Sequence, residues 1–591
     1  MKRSNPRSPL ATPTVAALAV ATLILLAVAA LPAAAPAQTS EGSDTDTFLD
    51  RVDVNVVNVE VFVTDGRGRR VAGLTRDDFT VTVDGQPVEL TNFFAAAESA
   101  AAPASAGTAD LPTGDETTVE PIEPVPRRAD GGQPLFLAVY FDHVNLTQGN
   151  RKRVLDEARH LAREQAAAGN LVSLFSYNGS LEAVTPFTSN LAAVDAGFEK
   201  LSRTSTRRQV ANLELARAVR GILDAQNDVQ LIPSAGDQGP APFQDTLEVE
   251  RYRQARSEEA IAAYRSLGQA VGSLGGLPGR KALLYVGEGI PQSPGMELLS
   301  FVETPNNPVE LESRRYDLSR FSRDVIEQAN AHGVTLYTLD ARGAGGNFGQ
   351  SAEFEDFVAL AAGPEFDQTL DLNLQAPLLD MADATGGSAI LNTSNFADAF
   401  VRLEEDFGTY YSLGFASPFE GEGEYHRIEV RIPGGGYTVR HRNGFYDKST
   451  AERIADRARS FLLQSWESNP LGIELQFGEP KKVKRRWRVP ILVRVPAESV
   501  VLLPQGEQRV GKLQLMVLVQ DEEGRLSDLT RMPAEIDVPA AAYEAARAED
   551  LGYRVELEMR GGPSSLVVAV WDEVGGAESY VYQQVVVGGP S

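Results

Sequence analysis

The chain of 591 residues has no cysteine and only five histidines, His143, His160, His332, His426 and His441. Without thiols there can be no disulfide, no thiol nucleophile, no thiolate metal site and no lipoprotein-type anchor, so core burial alone must stabilise the fold. The histidines are scattered, with no two within ten residues and no HExxH spacing, which argues against a histidine-rich zinc site. Positive charge is also scarce: 55 basic residues face 81 acidic ones, for a formal net charge of −26. That balance excludes nucleic acid as a natural partner, because phosphates require a basic surface, and it argues equally against an anionic membrane surface. The acidic excess is spread along the chain and serves solubility. A GxSxG elbow, a GxxxxGK[ST] loop and a repeat of fixed period are all missing. After the first forty residues no apolar run approaches membrane-spanning length.

The one long apolar run is Val15 to Leu31, preceded by Lys2, Arg3 and Arg7 and followed by Ala35-Pro36-Ala37 before Gln38. This is the pattern of a secretory signal over residues 1–37, so the mature chain is expected to be exported, periplasmic or extracellular. The run is long for a signal peptide. An uncleaved N-terminal anchor is the alternative, and the only membrane attachment the sequence offers.

Composition divides the remainder. Over residues 45–95, the alternation in Val59-Glu60-Val61-Phe62-Val63 and Phe79-Thr80-Val81-Thr82-Val83, with turn signals at Asp65-Gly66 and Asp84-Gly85, predicts a small β module. Residues 96–133, rich in Ala, Pro, Gly, Thr and Glu, read as a disordered linker. From 134 to 447 apolar strands alternate with helix-period segments, which predicts a mainly parallel sheet with helices on both faces. Tyr411 to Phe415 and His426 to Ile432 are expected to close that region. Residues 455–591 hold spaced β runs with no convincing long helix, apart from an alanine-rich insert at Ala540 to Glu549, and predict a β-sandwich.

The stretch around which this order is arranged is Pro134 to Leu146, where eight apolar or aromatic residues end at Asp142. An unbroken run of this kind is a strand buried on both faces, since a half-exposed strand would alternate. A polar loop, Thr147-Gln148-Gly149-Asn150, is expected next, and then a helix. Ligands of open α/β sheets bind at the carboxyl ends of the strands, so Asp142 is a functional candidate, or else a helix cap. Gly343 to Gly349 follows a strand, but its G-x-G-x-x-x-G spacing, with no strand-end acid about twenty residues on, is a flexible loop rather than a dinucleotide site.

Residues 134–446 resemble a von Willebrand factor type A domain. Val61 to Phe79 resembles the module that precedes this domain in exported A-domain-related proteins known chiefly from acidobacteria. The resemblance implies a doubly wound α/β fold of A-domain type flanked by the β module and the C-terminal sandwich-like domain. It implies protein binding rather than catalysis. It also implies a metal-ion-dependent adhesion site, in which Asp-x-Ser-x-Ser, a threonine and an aspartate hold Mg²⁺ through oxygen ligands. Asp142 matches the first aspartate, but Val144 and Leu146 stand at the serine positions. Thr204 is the best match for the threonine and Glu288 for the second aspartate. The site is therefore degenerate: Asp142, Thr204 and Glu288 are the candidate ligands for Mg²⁺ or another divalent cation, no cofactor being required. Asp142, Asn145, Thr147 and Glu288 form the candidate loop face for a protein partner, with or without metal.

The expected function is thus a non-enzymatic, adhesion-type binding protein. An envelope structural or assembly component, with the α/β domain as scaffold, is the alternative. An exported hydrolase using the carboxylate pair comes third, without a nucleophile or a Ser/His/Asp order to support it.

Overall fold

The computed structural model describes residues 56–96, 134–230, 243–299, 314–344, 364–419 and 421–588. The expected leader at 1–37, residues 97–133 of the expected linker and the larger part of the 343–349 loop lie outside the described residues. In chain order, β1 (Val56–Asp65), β2 (Thr80–Val83), β3 (Gln86–Pro87) and β4 (Leu90–Ala96) come first. The α/β segment follows with β5 (Leu135–Asp142), α1 (Gln148–Ala167), β6 (Leu171–Tyr177), β7 (Leu181–Thr188), α2 (Leu191–Arg203), α3 (Arg208–Gln230) and α4 (Phe243–Leu274). It continues through β8 (Arg280–Gly287), α5 (Ser319–His332), β9 (Val334–Asp340), α6 (Pro364–Ala384), β10 (Ala389–Ile390) and α7 (Phe396–Gly408). Then come β11 (Tyr410–Ala416), β12 (Tyr425–Arg431), β13 (Tyr437–His441), β14 (Gly444–Tyr446) and α8 (Thr450–Gln464).

The central sheet has the order β10-β9-β8-β5-β6-β7. Its neighbours are parallel except for the antiparallel pair β6 and β7. β5 lies in the middle with every residue buried, which is why its sequence never alternates. Leu135, Leu137, Val139 and Phe141 point into one core with α1, α2 and α7, while Phe136, Ala138 and Tyr140 point into a second with α4, α5 and α6. The period of two that divides the run between two cores is a property of any extended strand.

Two expectations need correction. β11 and β12 do not close the α/β sheet. β11 pairs antiparallel with β1 and β4, β13 pairs with β1, and β12 pairs with β2. The result is two four-stranded sheets, β13-β1-β11-β4 and β14-β12-β2-β3, around one shared core of Val59, Val61, Leu413, Phe415, Ile428 and others. The N-terminal strands are therefore half of a β layer that is completed only after the whole α/β segment. Periodicity identifies a strand and which face it buries, but not its partner.

The second correction is α8, a helix of 15 residues lying across the expected boundary at 447–455. Ser449 and Glu452 form a capping box, and Ile454, Ala458, Phe461 and Leu462 form its buried face. That face packs on Met516, Leu518, Val567 and Ala569, which belong to one of two antiparallel C-terminal sheets. Leu515, Val568 and Val570 of the same sheet share a separate core with Val489, Ile491 and Val493 of the other.

Candidate functional site

The carboxyl ends of β5 and β8 meet in the middle of the central sheet, and the residues singled out from the sequence collect there. Asp142 ends β5 and is fully buried. Its Oδ1 accepts from the backbone N–H of Asn145 at 3.0 Å, and its Oδ2 from Asn145 Nδ2 and the Tyr285 hydroxyl, both at 2.9 Å. Burial pushes the Asp142 carboxyl above its ordinary range, against the downward pull of these three donors. Gly287 has to lack a side chain here, because a Cβ would press on the Tyr285 ring and hydroxyl that reach Asp142.

The loop expected at Thr147-Gln148-Gly149-Asn150 is instead the start of α1, whose first turn begins at Gln148. Thr147 is the N-cap of α1 and accepts from Asn150 N at 3.3 Å. Glu288, 3% exposed, completes that helix start: its Oε1 accepts from Thr147 N at 2.7 Å and from Asn150 Nδ2 at 2.9 Å. A carboxylate at a helix N-terminus is stabilised by the unpaired N–H groups and the dipole. The Glu288 backbone N–H in turn donates to the Asn145 carbonyl at 2.7 Å, tying the two loops together.

A cation is present, and it is Arg208. Its Nη1 lies 3.4 Å from Asn145 Oδ1 and its Nε 4.0 Å from Glu288 Oε2, with only 12% of the side chain exposed. Arg208 opens α3, and the adjacent Arg207 N–H donates to the His143 carbonyl at 2.9 Å. Thr204 caps the end of α2, where its hydroxyl donates back to the Lys200 carbonyl at 3.2 Å and its carbonyl accepts from Arg151. Its hydroxyl is thus committed to its own helix. Among the described residues no group of three or more His, Asp or Glu side chains is placed to hold a metal ion. Asp142, Asn145 and Glu288 are also buried, so in this conformation they face inward rather than forming the outer surface expected of a partner-binding loop face.

A helical cap lies beside these residues, reaching the site through Arg208 at the start of α3 and through Leu374 of α6, which sits against Gly289. α3, the start of α4, Leu298 and the first half of α6 share a small apolar cluster of Leu215, Val219, Ile222, Phe366, Leu370 and Leu374, beyond the strand ends. Gln292 N donates to the Asn373 carbonyl at 3.1 Å, which joins the loop after β8 to α6. Asp340, which ends β9, is not a candidate from the sequence, yet it is treated like Glu288. Arg342 reaches its two oxygens at 3.0 and 2.7 Å, and Arg342 also pairs with Asp371 at 2.6 Å. The Asp-x-Arg spacing is the available signal. For Arg208 there is none, because its distance in sequence from Glu288 is large. His143 is buried against the Phe141 ring, and neither ring nitrogen has a partner among the described residues. Burial, then the charge of Arg151, draws it down to about 4.

No family model matches the chain, and no curated protein matches it. Among solved structures, the chain is similar to an aerotolerance-related membrane protein from Bacteroides fragilis carrying multiple mutations to serine, at 12% identity and a TM-score of 0.21, over 46% of this chain and 98% of that one. It is also similar to a Bacteroides uniformis beta-glucuronidase at 9% identity and a TM-score of 0.14, over 31% of this chain and 19% of that one. Likenesses at this level leave the functional reading to the chain's own geometry.

Proposed function

We propose that the chain is an exported, non-catalytic binding protein of the von Willebrand factor type A kind, which engages a protein partner over its capped strand-end side without a metal ion. The observation that carries this reading is the arginine within the acidic network. Arg208 supplies the positive charge that a divalent cation would bring, and protein donors already occupy the oxygens of Asp142 and Glu288. The network holds the loops and the cap in place, and the outside of the cap meets the partner. Val210 and Leu213, three residues apart on α3, are 56% and 42% exposed, and Leu372 on α6 is 62% exposed. Large apolar side chains left in water beside a rigid polar support suit a protein surface.

The test is recovery of a partner from native envelope material by the wild-type chain and by a Val210→Glu, Leu213→Glu double variant. Recovery that survives EDTA and is lost in the double variant supports the reading. Equal recovery by both would remove the cap from it. The burial of Asp142 and Glu288 specifically favours the scaffold alternative, in which this side binds nothing, and that alternative predicts no recurrent partner at all.

A further inference from the structure

The opposite edge of the central sheet carries a different chemistry. A cavity of about 400 Å³ opens at the amino ends of β8 and β9, bounded by β1, the end of α5 and the start of α8. Six basic side chains line it against two carboxylates, Glu60 and Asp456, in a chain whose formal net charge is −26. The carboxylates are already engaged. Glu60 lies 3.2 Å from Arg280, and Asp456 lies 2.6 Å from Lys448 and 3.1 Å from Arg459.

Lys281 and Arg442 are left with backbone carbonyls. Lys281 Nζ donates to Leu277 O at 3.0 Å. Arg442 donates to Asn330 O at 3.1 Å and to Asn58 O at 2.9 Å, while its Nε is buried and has no partner among the described residues. Both groups carry the cost of this arrangement. Burial and then the Arg442 charge draw Lys281 down to about 8, and burial draws Arg442 to about 10. Both side chains are half-buried, and half-buried cations with no counter-charge in contact are unfavourable, so an anion between them would relieve that.

The walls are closely built. A Cβ at Gly276 would strike the Arg457 backbone, and one at Gly275 the His332 ring, so this glycine pair lets α5 and α8 close on the turn before β8. Gly276 N also donates to Ser460 Oγ at 2.9 Å.

We propose that this cavity binds a small polyanion, phosphate- or carboxylate-bearing, with Lys281 and Arg442 as its principal counter-charges. The site is separate from the strand-end side and does not depend on the function proposed there. Because elements of the β layer, the α/β layer and α8 all border it, the bound anion joins three parts of the chain.

The experiment is calorimetric titration and thermal melting of the full chain with pyrophosphate and with citrate, against sodium chloride at matched ionic strength and pH 7. One saturable site and a melting temperature that rises with ligand concentration are expected, by mass action on the folded state. A response to pyrophosphate alone assigns phosphate chemistry, and one to citrate alone assigns carboxylate chemistry. Lys281→Met should weaken binding at least tenfold, whereas the exposed control Lys482→Met should not change it. Arg442→Gln should act like Lys281→Met, but Arg442 also holds two carbonyls, so Lys281→Met decides if that variant does not fold.

Between pH 7 and pH 9.5 wild-type binding should fall as Lys281 loses its proton through about 8, and Lys281→Arg should bind with little change over that range. The charged groups facing Lys281 are Arg442, Lys448, Glu60 and Asp456, and His332, held below its usual range mainly by burial, is neutral throughout this window. No saturable binding at millimolar probe, an equal response to sodium chloride, or unchanged affinity in Lys281→Met would overturn the proposal.

Discussion

The two ends of the central sheet solve opposite electrostatic problems. At the carboxyl ends of the strands, buried acids are matched within the chain: Asp142 by three donors, Glu288 by a helix start and Arg208, and Asp340 by Arg342. At the amino ends, Lys281 and Arg442 have only carbonyls for hydrogen-bond partners around an open cavity. A buried charge that is fully matched acts as a structural tie, and removing its partner is costly. A charge left half-buried and unmatched, as at Lys281 and Arg442, is a burden on the fold unless something from outside balances it. The family resemblance directs attention to the first end, whereas the unmet charge lies at the second.

The comparison predicts unequal costs of substitution. Glu288→Ala would leave the Thr147 N–H and Asn150 Nδ2 without their acceptor and Arg208 without its carboxylate 4.0 Å away. Removing one member of such a buried set costs about 3–5 kcal/mol, which denaturant unfolding would read, and Glu288→Gln should recover part of it. A loss below about 1 kcal/mol would mean that the network is not a tie.

His143 gives the next largest effect, and it depends on pH. Its folded pKa, about 4, lies below the unfolded value of 6.5. The stability it contributes is therefore complete above pH 6.5 and is lost as pH falls toward about 4, by up to about 3 kcal/mol at about 1.4 kcal/mol per unit. His143→Phe should flatten the stability profile relative to wild type over that interval, and parallel profiles would contradict the assignment.

These effects show what can be read in advance. The continuous apolar run of β5, the strands at Lys281 to Val286 and Val334 to Leu339, and the Asn190 cap of α2 are local patterns, and the structure has a strand or helix at each. Asp142 is legible as an acid at the end of a fully apolar run, whereas Glu288 is legible only through the family resemblance, which implies a carboxylate at the neighbouring strand end. What is not legible depends on distant pairing. β1 finds β11 and β13 across the whole α/β segment, and Arg208 finds Glu288 only because α3 is folded over the strand ends. The cavity draws Glu60, Lys281, Arg442 and Lys448 from separate parts of the chain, so no window of sequence displays its charge.

Smaller effects sharpen the contrast. Asp142→Ala would strand the Asn145 and Tyr285 donors and should cost about 1–3 kcal/mol, visible in the unfolding midpoint. Lys281→Met, without added anion, should be the mildest. Its folded pKa of about 8 lies below the unfolded 10.5, so the charged lysine weakens the fold at pH 7 and that penalty fades as pH rises from 8 to 10.5. The variant should equal or exceed wild-type stability at pH 7, within about 2 kcal/mol. A loss comparable to that of Glu288→Ala would erase the distinction between the two ends.

The most direct measurement concerns the cation at the strand ends. Wild-type chain is melted with millimolar Mg²⁺ or Mn²⁺ and with EDTA, beside Asp142→Ala. With Arg208 supplying the positive charge, the wild-type melting temperature should be the same in all three solutions. A metal-dependent rise that Asp142→Ala abolishes would show that the site takes a divalent ion and would contradict the account.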